Sequence, residues 1–153
     1  MIISFFGHSN YLESEYDECR VLSILDNISK GEQVDFYLGG YGSFDYFALH
    51  CAKKFKEKHP DAKLYLICPY MGKWLDDRQQ DIERDYDASI YPEIEHVPLK
   101  FAISKRNEWI VQQADYIIAY VNKHYGGAYK ALLYAHKHNK PYTNLYKGNY
   151  ELY

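Results

Sequence analysis

The sequence predicts an α/β fold, namely a Rossmann-like three-layer sandwich around a five-stranded, mainly parallel sheet. Short apolar runs alternate along the chain with segments whose apolar residues recur every three or four positions, a pattern typical of strands followed by amphipathic helices. Glycines directly follow the first and second of these runs, and a glycine pair lies in the loop after the fourth. Such an alternation favours parallel strands joined by right-handed crossovers, with helices on both faces of the sheet.

Five apolar runs predict the strands. Each run is four to six residues long and ends at a glycine, a proline or a polar loop, as a buried strand does. They cover residues 2–6, 34–38, 63–68, 116–121 and 141–145.

Four amphipathic segments predict the helices between these strands. The first has its apolar face within residues 21–28. The second carries an apolar stripe from Phe44 to Phe55, and Ser43 is its predicted N-cap. The third helix covers residues 101–114, and the fourth has its inner face within residues 128–135.

If the sheet has the order 3-2-1-4-5, its topological switch point lies between strands 1 and 4. Ligands of such sheets bind at the carboxyl ends of the strands beside that point. Gly7, the pair Gly39-Gly40 and the pair Gly126-Gly127 all follow strands that end there. The sequence therefore predicts one binding site where three glycine turns converge.

A chain of 153 residues predicts a single domain, 1–153. Residues 71–98 depart from the regular alternation because they combine a dense run of charges with prolines at positions 92 and 98. We predict that they form a charged excursion, or lid, over the strand ends.

Charge and cysteine content restrict the expected surroundings. The net charge of -3 provides no global field for a polyanion, so we expect a small-molecule nucleotide as the partner, and no duplex nucleic acid. No apolar run is long enough for a membrane partner.

Cys19, Cys51 and Cys68 are widely spaced, which predicts reduced thiols in a cytoplasmic protein without a metal or another cofactor. The 18 tyrosines suggest an interface between subunits, hence a homodimer or a higher homo-oligomer.

The glycine turns predict a phosphate site, because the first turn of a helix has unpaired amides and glycine lets them approach a ligand closely. Arg106 adds a planar fork that suits phosphate or ribose. Lys130 is unfavourable near a helix N-terminus unless an anion binds there. The predicted ligand-binding residues are Gly7, His8, Gly39, Gly40, Tyr41, Gly42, Ser43, Asp45, Lys105, Arg106, Tyr120, Gly126, Gly127 and Lys130.

Several of these residues have a purely structural alternative. Gly126-Gly127 could serve only close packing of the helix against its strand. Asp45 could hold ribose hydroxyls or position a water, or it could simply stabilise the start of its helix. His8 could contact a ribose or act as a base near neutral pH, or it could be a loop residue with local contacts only. Base stacking could come from Tyr41, Tyr120, Tyr125 or Trp74.

Two sequence motifs resemble a known family. Leu38-Gly-Gly-Tyr-Gly-Ser-Phe-Asp-Tyr-Phe-Ala48 resembles the Gly-Gly-x-x-x-x-Asp-x-x-Ala turn of the Smf/DprA proteins. Lys105-Arg-Asn, followed by Ala114-Asp-Tyr-Ile-Ile-Ala-Tyr and Gly126-Gly-Ala, is similar to a motif series of the LOG cytokinin-activating enzymes. Together they indicate the SLOG superfamily. The resemblance implies a Rossmann-like fold that binds nucleotides, including ADP-ribose-type signals.

The resemblance leaves two main functions. One is binding of a nucleotide or of an ADP-ribose-type or cyclic signalling ligand, by a sensor or by a sequestering protein such as a phage anti-defence sponge. The other is a LOG-like nucleotide phosphoribohydrolase, or a related glycosidic-bond hydrolase or transferase, with Asp45 or His8 as acid or base. LOG enzymes carry a catalytic Glu where this chain has Leu133, or Tyr46 if the first glycine pair is aligned instead. We therefore favour binding over catalysis. A structural adaptor with a vestigial crevice is a third interpretation.

Overall fold

Strands and helices alternate in the computed structural model, which describes residues 1–153. A 3-10 turn at Leu99–Phe101 precedes the fifth helix. The strands are β1 (Ile2–Gly7), β2 (Asp35–Leu38), β3 (Lys63–Ile67), β4 (Ala88–Ile90), β5 (Tyr116–Tyr120) and β6 (Tyr142–Asn144). The helices are α1 (Glu15–Ser29), α2 (Ser43–Lys58), α3 (Lys73–Asp76), α4 (Gln79–Asp85), α5 (Ala102–Gln113) and α6 (Gly127–Lys137).

All six strands are parallel, and their order is β4-β3-β2-β1-β5-β6. The predicted number of five strands is therefore wrong. The five predicted strands keep the relative order expected for them, and β4 is added at the edge beside β3. The apolar pattern did not indicate β4 because this strand has only three residues, Ala-Ser-Ile, and lies in the charged segment.

The central strand β1 pairs with β2 on one side and with β5 on the other. Strands β2, β3 and β4 follow one another on one side of β1. The chain then crosses to the other side of β1, where β5 and β6 lie. The connections leaving β1 and β5 therefore run in opposite directions. A crevice opens between them at the carboxyl ends of the strands, as in other doubly wound sheets.

The two faces of the sheet are each covered by two long helices. The core between one face and helices α1 and α2 contains aromatic residues, including Phe36 of the sheet and Phe44 and Phe47 of α2. The core between the opposite face and helices α5 and α6 contains aliphatic residues, including Ile117 of the sheet, Ile110 of α5 and Leu132 of α6. These two cores confirm the predicted layering of helices around a parallel sheet.

Residues 71–98 contain α3, α4 and β4, and they are tied to the sheet. Asp87 accepts hydrogen bonds from the amide of Leu64 at 2.8 Å and from Lys56 at 3.0 Å, and Asp85 pairs with Lys53. Ile82 packs with Leu66 and Cys68 in a small core of its own. The segment therefore extends the sheet on its β3 side. Its role as a lid stays a prediction.

The structure contains no helix that is both long and apolar enough to cross a bilayer. Of the three cysteines, Cys51 and Cys68 are buried, Cys19 is exposed, and none forms a disulfide. Burial raises the pKa of the Cys51 thiol to about 12, so this thiol stays protonated at neutral pH.

We predict that Gly7→Ala destabilises the protein by about 1–3 kcal/mol, the usual cost of overpacking a core. Gly7 lies under α2, and a Cβ atom added there would be 2.1 Å from Cγ of Phe44. The measurement is urea denaturation. Gly127→Ala is the matched control, because the nearest atom to its added Cβ would be 3.9 Å away. An equal loss of unfolding free energy in both variants would contradict the steric explanation.

Candidate functional site

A cleft of about 390 Å³ lies at the carboxyl ends of β1, β2 and β5. Three glycine turns border it: Gly7 after β1, Gly39 and Gly42 after β2, and Gly126-Gly127 at the start of α6. Side chains of α5 close it from the fourth side. The turns thus meet around one space at the topological switch point, although they are up to 120 positions apart in the chain.

Nine of the predicted site residues line this cleft, and five do not. Whether they bind a ligand stays a prediction. Those in the cleft are Gly7, His8, Gly39, Tyr41, Gly42, Asp45, Arg106, Gly126 and Gly127. Those outside it are Gly40, Ser43, Lys105, Tyr120 and Lys130.

Ser43 has a structural role at the edge of the site. The N-cap of α2 is Gly42, not Ser43 as predicted, and Ser43 is the first residue of the helix. Its hydroxyl lies 2.8 Å from the carbonyl oxygen of Ser9 and 2.7 Å from that of Tyr11. This contact is possible because Gly42 lets the loop after β1 approach so closely that a Cβ would lie 2.7 Å from Ser9 Cα.

The other four residues outside the cleft have separate reasons. Gly40 faces Leu66 and has a φ of +66°, which favours glycine. Lys105 precedes Arg106, so its side chain is turned by about 100° on the helix, and it pairs with Glu108 at 3.1 Å. Tyr120 packs against Tyr11 in the core on the α1 and α2 side. Lys130 lies in a neighbouring groove.

The glycine turn that leads into α2 is occupied by the chain itself. Oδ2 of Asp45 accepts hydrogen bonds from the amides of Tyr41 at 2.8 Å and Gly42 at 3.1 Å. The amide of Ser43 donates to the carbonyl of Ser9 at 3.1 Å. Burial raises the pKa of the Asp45 carboxyl, whereas the two amides and Arg106 oppose that shift. The glycine turn after β2, one of those predicted to bind phosphate, therefore already holds a carboxylate.

The N-terminus of α6 is open. The amides of Gly127, Ala128 and Tyr129 donate to no acceptor in the chain, because the first hydrogen bond of this helix comes from Lys130 to Gly126 at 3.1 Å. Gly126, Gly127 and Ala128 line the cleft. Free amides and the positive end of an eleven-residue helix dipole therefore face the same space.

Arg106 brings a buried positive charge to the cleft, since only 3% of its surface is exposed. Nη1 donates to the carbonyls of Ile67 at 2.9 Å and Gly39 at 3.2 Å, and Nε donates to Oδ1 of Asn107 at 3.0 Å. Nη2 makes no hydrogen bond within the chain. Burial lowers the pKa of the guanidinium, with Asp45 acting against the shift, yet an arginine in a protein stays charged.

His8 is placed as a hydrogen-bond donor. Its ring is 9% exposed, and Nε2 accepts the amide N–H of Asn122 at 3.1 Å. The proton of the neutral ring is therefore on Nδ1. Burial, followed by the charge of Lys123, lowers the pKa of His8. The lone pair that a general base needs is already engaged.

The sequence did not indicate Asn10, Asn107, Lys123 and Tyr125, which are among the polar or aromatic residues of the cleft, as its binding residues, although Tyr125 was a stacking candidate. Lys123 lies over the ring of Tyr125 at 5.6 Å. Both lie within three residues of the second glycine pair, and that position was the available signal. Trp74, another stacking candidate, lies outside the cleft, where Arg78 covers its ring at 4.0 Å.

Residues near the C-terminus hold the loop that carries Lys123 and Tyr125. The hydroxyl of Tyr150 donates to the carbonyl of Lys123 at 2.6 Å, and the ring of His124 lies 2.6 Å from the carbonyl oxygen of Glu151. The side chain of Asn144 pairs with both backbone groups of Val121. The loop between β5 and α6 is therefore braced from outside the cleft.

No family model and no curated protein matches the sequence. Solved structures do match the fold. DNA processing protein A from Helicobacter pylori, described as binding single-stranded DNA, has a TM-score of 0.60 at 14% identity, over 97% of this chain and 68% of that one. DprA from Streptococcus pneumoniae gives the same TM-score and identity, over 92% of this chain and 48% of that one. TM1055, a LOG-family protein, has a TM-score of 0.54 at 13% identity over 92% and 71%.

These structures correct the predicted partner. The overall charge had suggested a small-molecule nucleotide and no duplex nucleic acid, but the Helicobacter pylori protein has this fold and is described as binding single-stranded DNA. The prediction of a small-molecule partner alone is therefore wrong. Its weakness was that net charge averages the whole surface, whereas the cleft has its own local charges in Arg106 and Lys123.

The resemblance found in the sequence is confirmed at the level of structure: this chain has the fold shared by the Smf/DprA and LOG proteins of the SLOG superfamily.

Proposed function

We propose that the cleft binds a nucleotide unit whose phosphate lies at the N-terminus of α6. One observation carries the proposal: the free amides of Gly127 and Ala128 lie on residues that line the same cleft as Arg106, whose Nη2 has no partner in the chain. A buried guanidinium with a free N–H favours an anionic acceptor, and phosphate oxygens accept from amides and guanidinium together. Nδ2 of Asn107, which has no acceptor in the chain, is a further donor at this point.

The charges around the cleft support an anion on one side only. Arg106 and Lys123 are positive, and Asp45 at the start of α2 is negative. A phosphate is therefore repelled from α2 and attracted to α6. On the α2 side, the Asp45 carboxylate and the Nδ1–H of His8 suit the hydroxyl groups of a ribose, because such hydroxyls both donate and accept.

The energetics require a contribution from the base. Four charge-assisted hydrogen bonds at about 1.5–3 kcal/mol each give roughly 6–12 kcal/mol, and association costs on the order of 4–15 kcal/mol. Stacking adds about 1–3 kcal/mol per base. Tyr41 and Tyr125 line the cleft and are 54% and 68% exposed, so their rings are accessible to a base. We propose that these two tyrosines hold the base.

The biological ligand can be a free nucleotide or a unit of a single strand. An ADP-ribose-type or cyclic signal, held by a sensor or by a sequestering protein, fits the resemblance to the SLOG superfamily. The DNA processing protein A structure adds single-stranded DNA to the ligands worth testing. A panel of AMP, cyclic AMP, ADP-ribose and a short single strand therefore covers the proposed class.

The hydrolase alternative has less support from the geometry. Leu133 lines the neighbouring groove and Tyr46 is exposed outside the cleft, so neither alignment with the LOG motif places a carboxylate beside the ligand. Asp45 is held by two amides, and the Nε2 lone pair of His8 is engaged by Asn122.

We predict that Gly127→Pro weakens nucleotide binding about tenfold or more, the effect of losing one charge-assisted hydrogen bond of roughly 1.5–3 kcal/mol. Proline suits the first position of a helix and removes only the amide N–H there. Gly127→Ala is the matched control, because it adds carbon atoms and keeps the amide. Isothermal titration with AMP and ADP-ribose gives the dissociation constants.

Equal affinities of the proline and alanine variants would show that the Gly127 amide does not contact the ligand. Absence of binding by the unmodified protein across the whole panel would sink the proposal itself. Thermal unfolding of each variant separates a lost contact from a lost fold.

We also predict that AMP is recovered intact after prolonged incubation with the protein. Chromatography of the mixture detects any free adenine. If the unmodified protein released adenine with turnover, and Asp45→Asn abolished this while the affinity for AMP survived, the hydrolase function would replace the proposed one.

A further inference from the structure

We infer that the groove between α5 and α6 holds a second phosphate group, so that the ligand of the cleft carries at least two linked phosphates. This inference rests on the proposed function, because the first phosphate is the one placed at the start of α6. It names the ligand class more narrowly than a mononucleotide.

The groove adjoins the cleft. It has a volume of about 270 Å³ and lies between the two helices that cover one face of the sheet. Asn107 of α5 and Gly127 of α6 border both the cleft and the groove. A ligand that leaves the cleft past the first turn of α6 therefore enters the groove without crossing another element.

The groove carries two cations that the chain does not neutralise. Lys130 and Lys137 of α6 line it, and neither forms an ion pair or a hydrogen bond with any group of the protein. They are seven residues apart, which places them on the same side of the helix, two turns from each other. The acid of the groove, Glu108, is paired with Lys105 at 3.1 Å.

Lys130 is unusual because it lies in the first turn of its helix, where the dipole disfavours a cation. It follows Gly127 by three residues, a rise of about 4.5 Å along the axis. A group linked to a phosphate on the Gly127 amide therefore lies within reach of the long Lys130 side chain. An anion between the helix start and the two lysines offsets the repulsion between the positive end of the helix dipole and the Lys130 ammonium group.

Two ligands share this chemistry. One is a nucleotide with a diphosphate, whose second phosphate follows the first directly. The other is a single strand, in which the next phosphodiester provides the second anion. Tyr134 is the one aromatic residue that lines the groove, and its hydroxyl accepts a hydrogen bond from Gln112 at 2.8 Å. The groove is therefore suited to a phosphate group and not to a second base.

The test compares ligands that differ by one phosphate. The probes are AMP against ADP, and thymidine 5′-monophosphate against the 5′-phosphorylated dithymidylate. The unmodified protein is expected to bind ADP, the dinucleotide or both about tenfold more tightly than the matching mononucleotide, a difference of about 1.4 kcal/mol. In the double variant Lys130→Gln, Lys137→Gln this gain is expected to disappear, while the affinity for both mononucleotides changes less than about twofold.

The control double variant is Lys58→Gln, Lys73→Gln, which removes the same charge from two exposed lysines that line neither cavity. It separates the groove from a general effect of net charge. Binding of mononucleotides without any gain from a second phosphate, or a gain that persists in the groove variant, would overturn this inference and leave the proposed function standing. Absence of mononucleotide binding would remove both.

The two ligand pairs identify the source of the second phosphate. A gain with ADP alone indicates a diphosphate nucleotide, and a gain with the dinucleotide alone indicates a single strand. Either result supports a second phosphate in the groove.

Discussion

The guanidinium of Arg106 is the contact on which the site depends. It comes from α5 and donates to the carbonyls at the ends of β2 and β3, so one buried side chain fixes a helix against two strands. These carbonyls lie where the sheet stops and no further strand residue can pair with them. Burying a charge is costly unless it is hydrogen-bonded on several sides, and Arg106 has three such partners in the chain. Its remaining nitrogen, Nη2, has no partner in the chain.

The glycine turns at the starts of α2 and α6 each contain a glycine pair, but their backbone amides differ in whether the chain itself provides an acceptor. At α2, the carboxylate of Asp45, the third residue of the helix, folds back onto the amides of Tyr41 and Gly42 and satisfies them. At α6, the corresponding position is Tyr129, whose side chain makes no such bond, and the amides at the start of this helix stay free. The acid at the third position of α2 thus supplies an internal acceptor that α6 lacks.

Much of the fold could be predicted from the sequence because its signals are local. The apolar runs indicated five of the six strands and their relative order, and the glycines indicated which strand ends meet. The edge strand β4 could not be found, since it has no apolar pattern and depends on pairing with β3 and on Asp87 at the end of the preceding loop. The sequence left open whether Asp45 contacts a ligand or stabilises the start of its helix, because its bonds to the amides of Tyr41 and Gly42 depend on which way one side chain turns. Tyr120 was assigned to the site, but the alternation of β5 points it into the α1 and α2 core.

The brace on the loop between β5 and α6 has a practical consequence. Tyr150 and Glu151, two of the last four residues of the sequence, contact the carbonyl of Lys123 and the ring of His124 in that loop. A purification tag, a fluorescent fusion or a surface-immobilisation linker appended after Tyr153 would pull on the same hydrogen bonds. Such attachments belong at the other end of the polypeptide, because Met1 lies at the amino end of β1, on the edge of the sheet opposite the cleft.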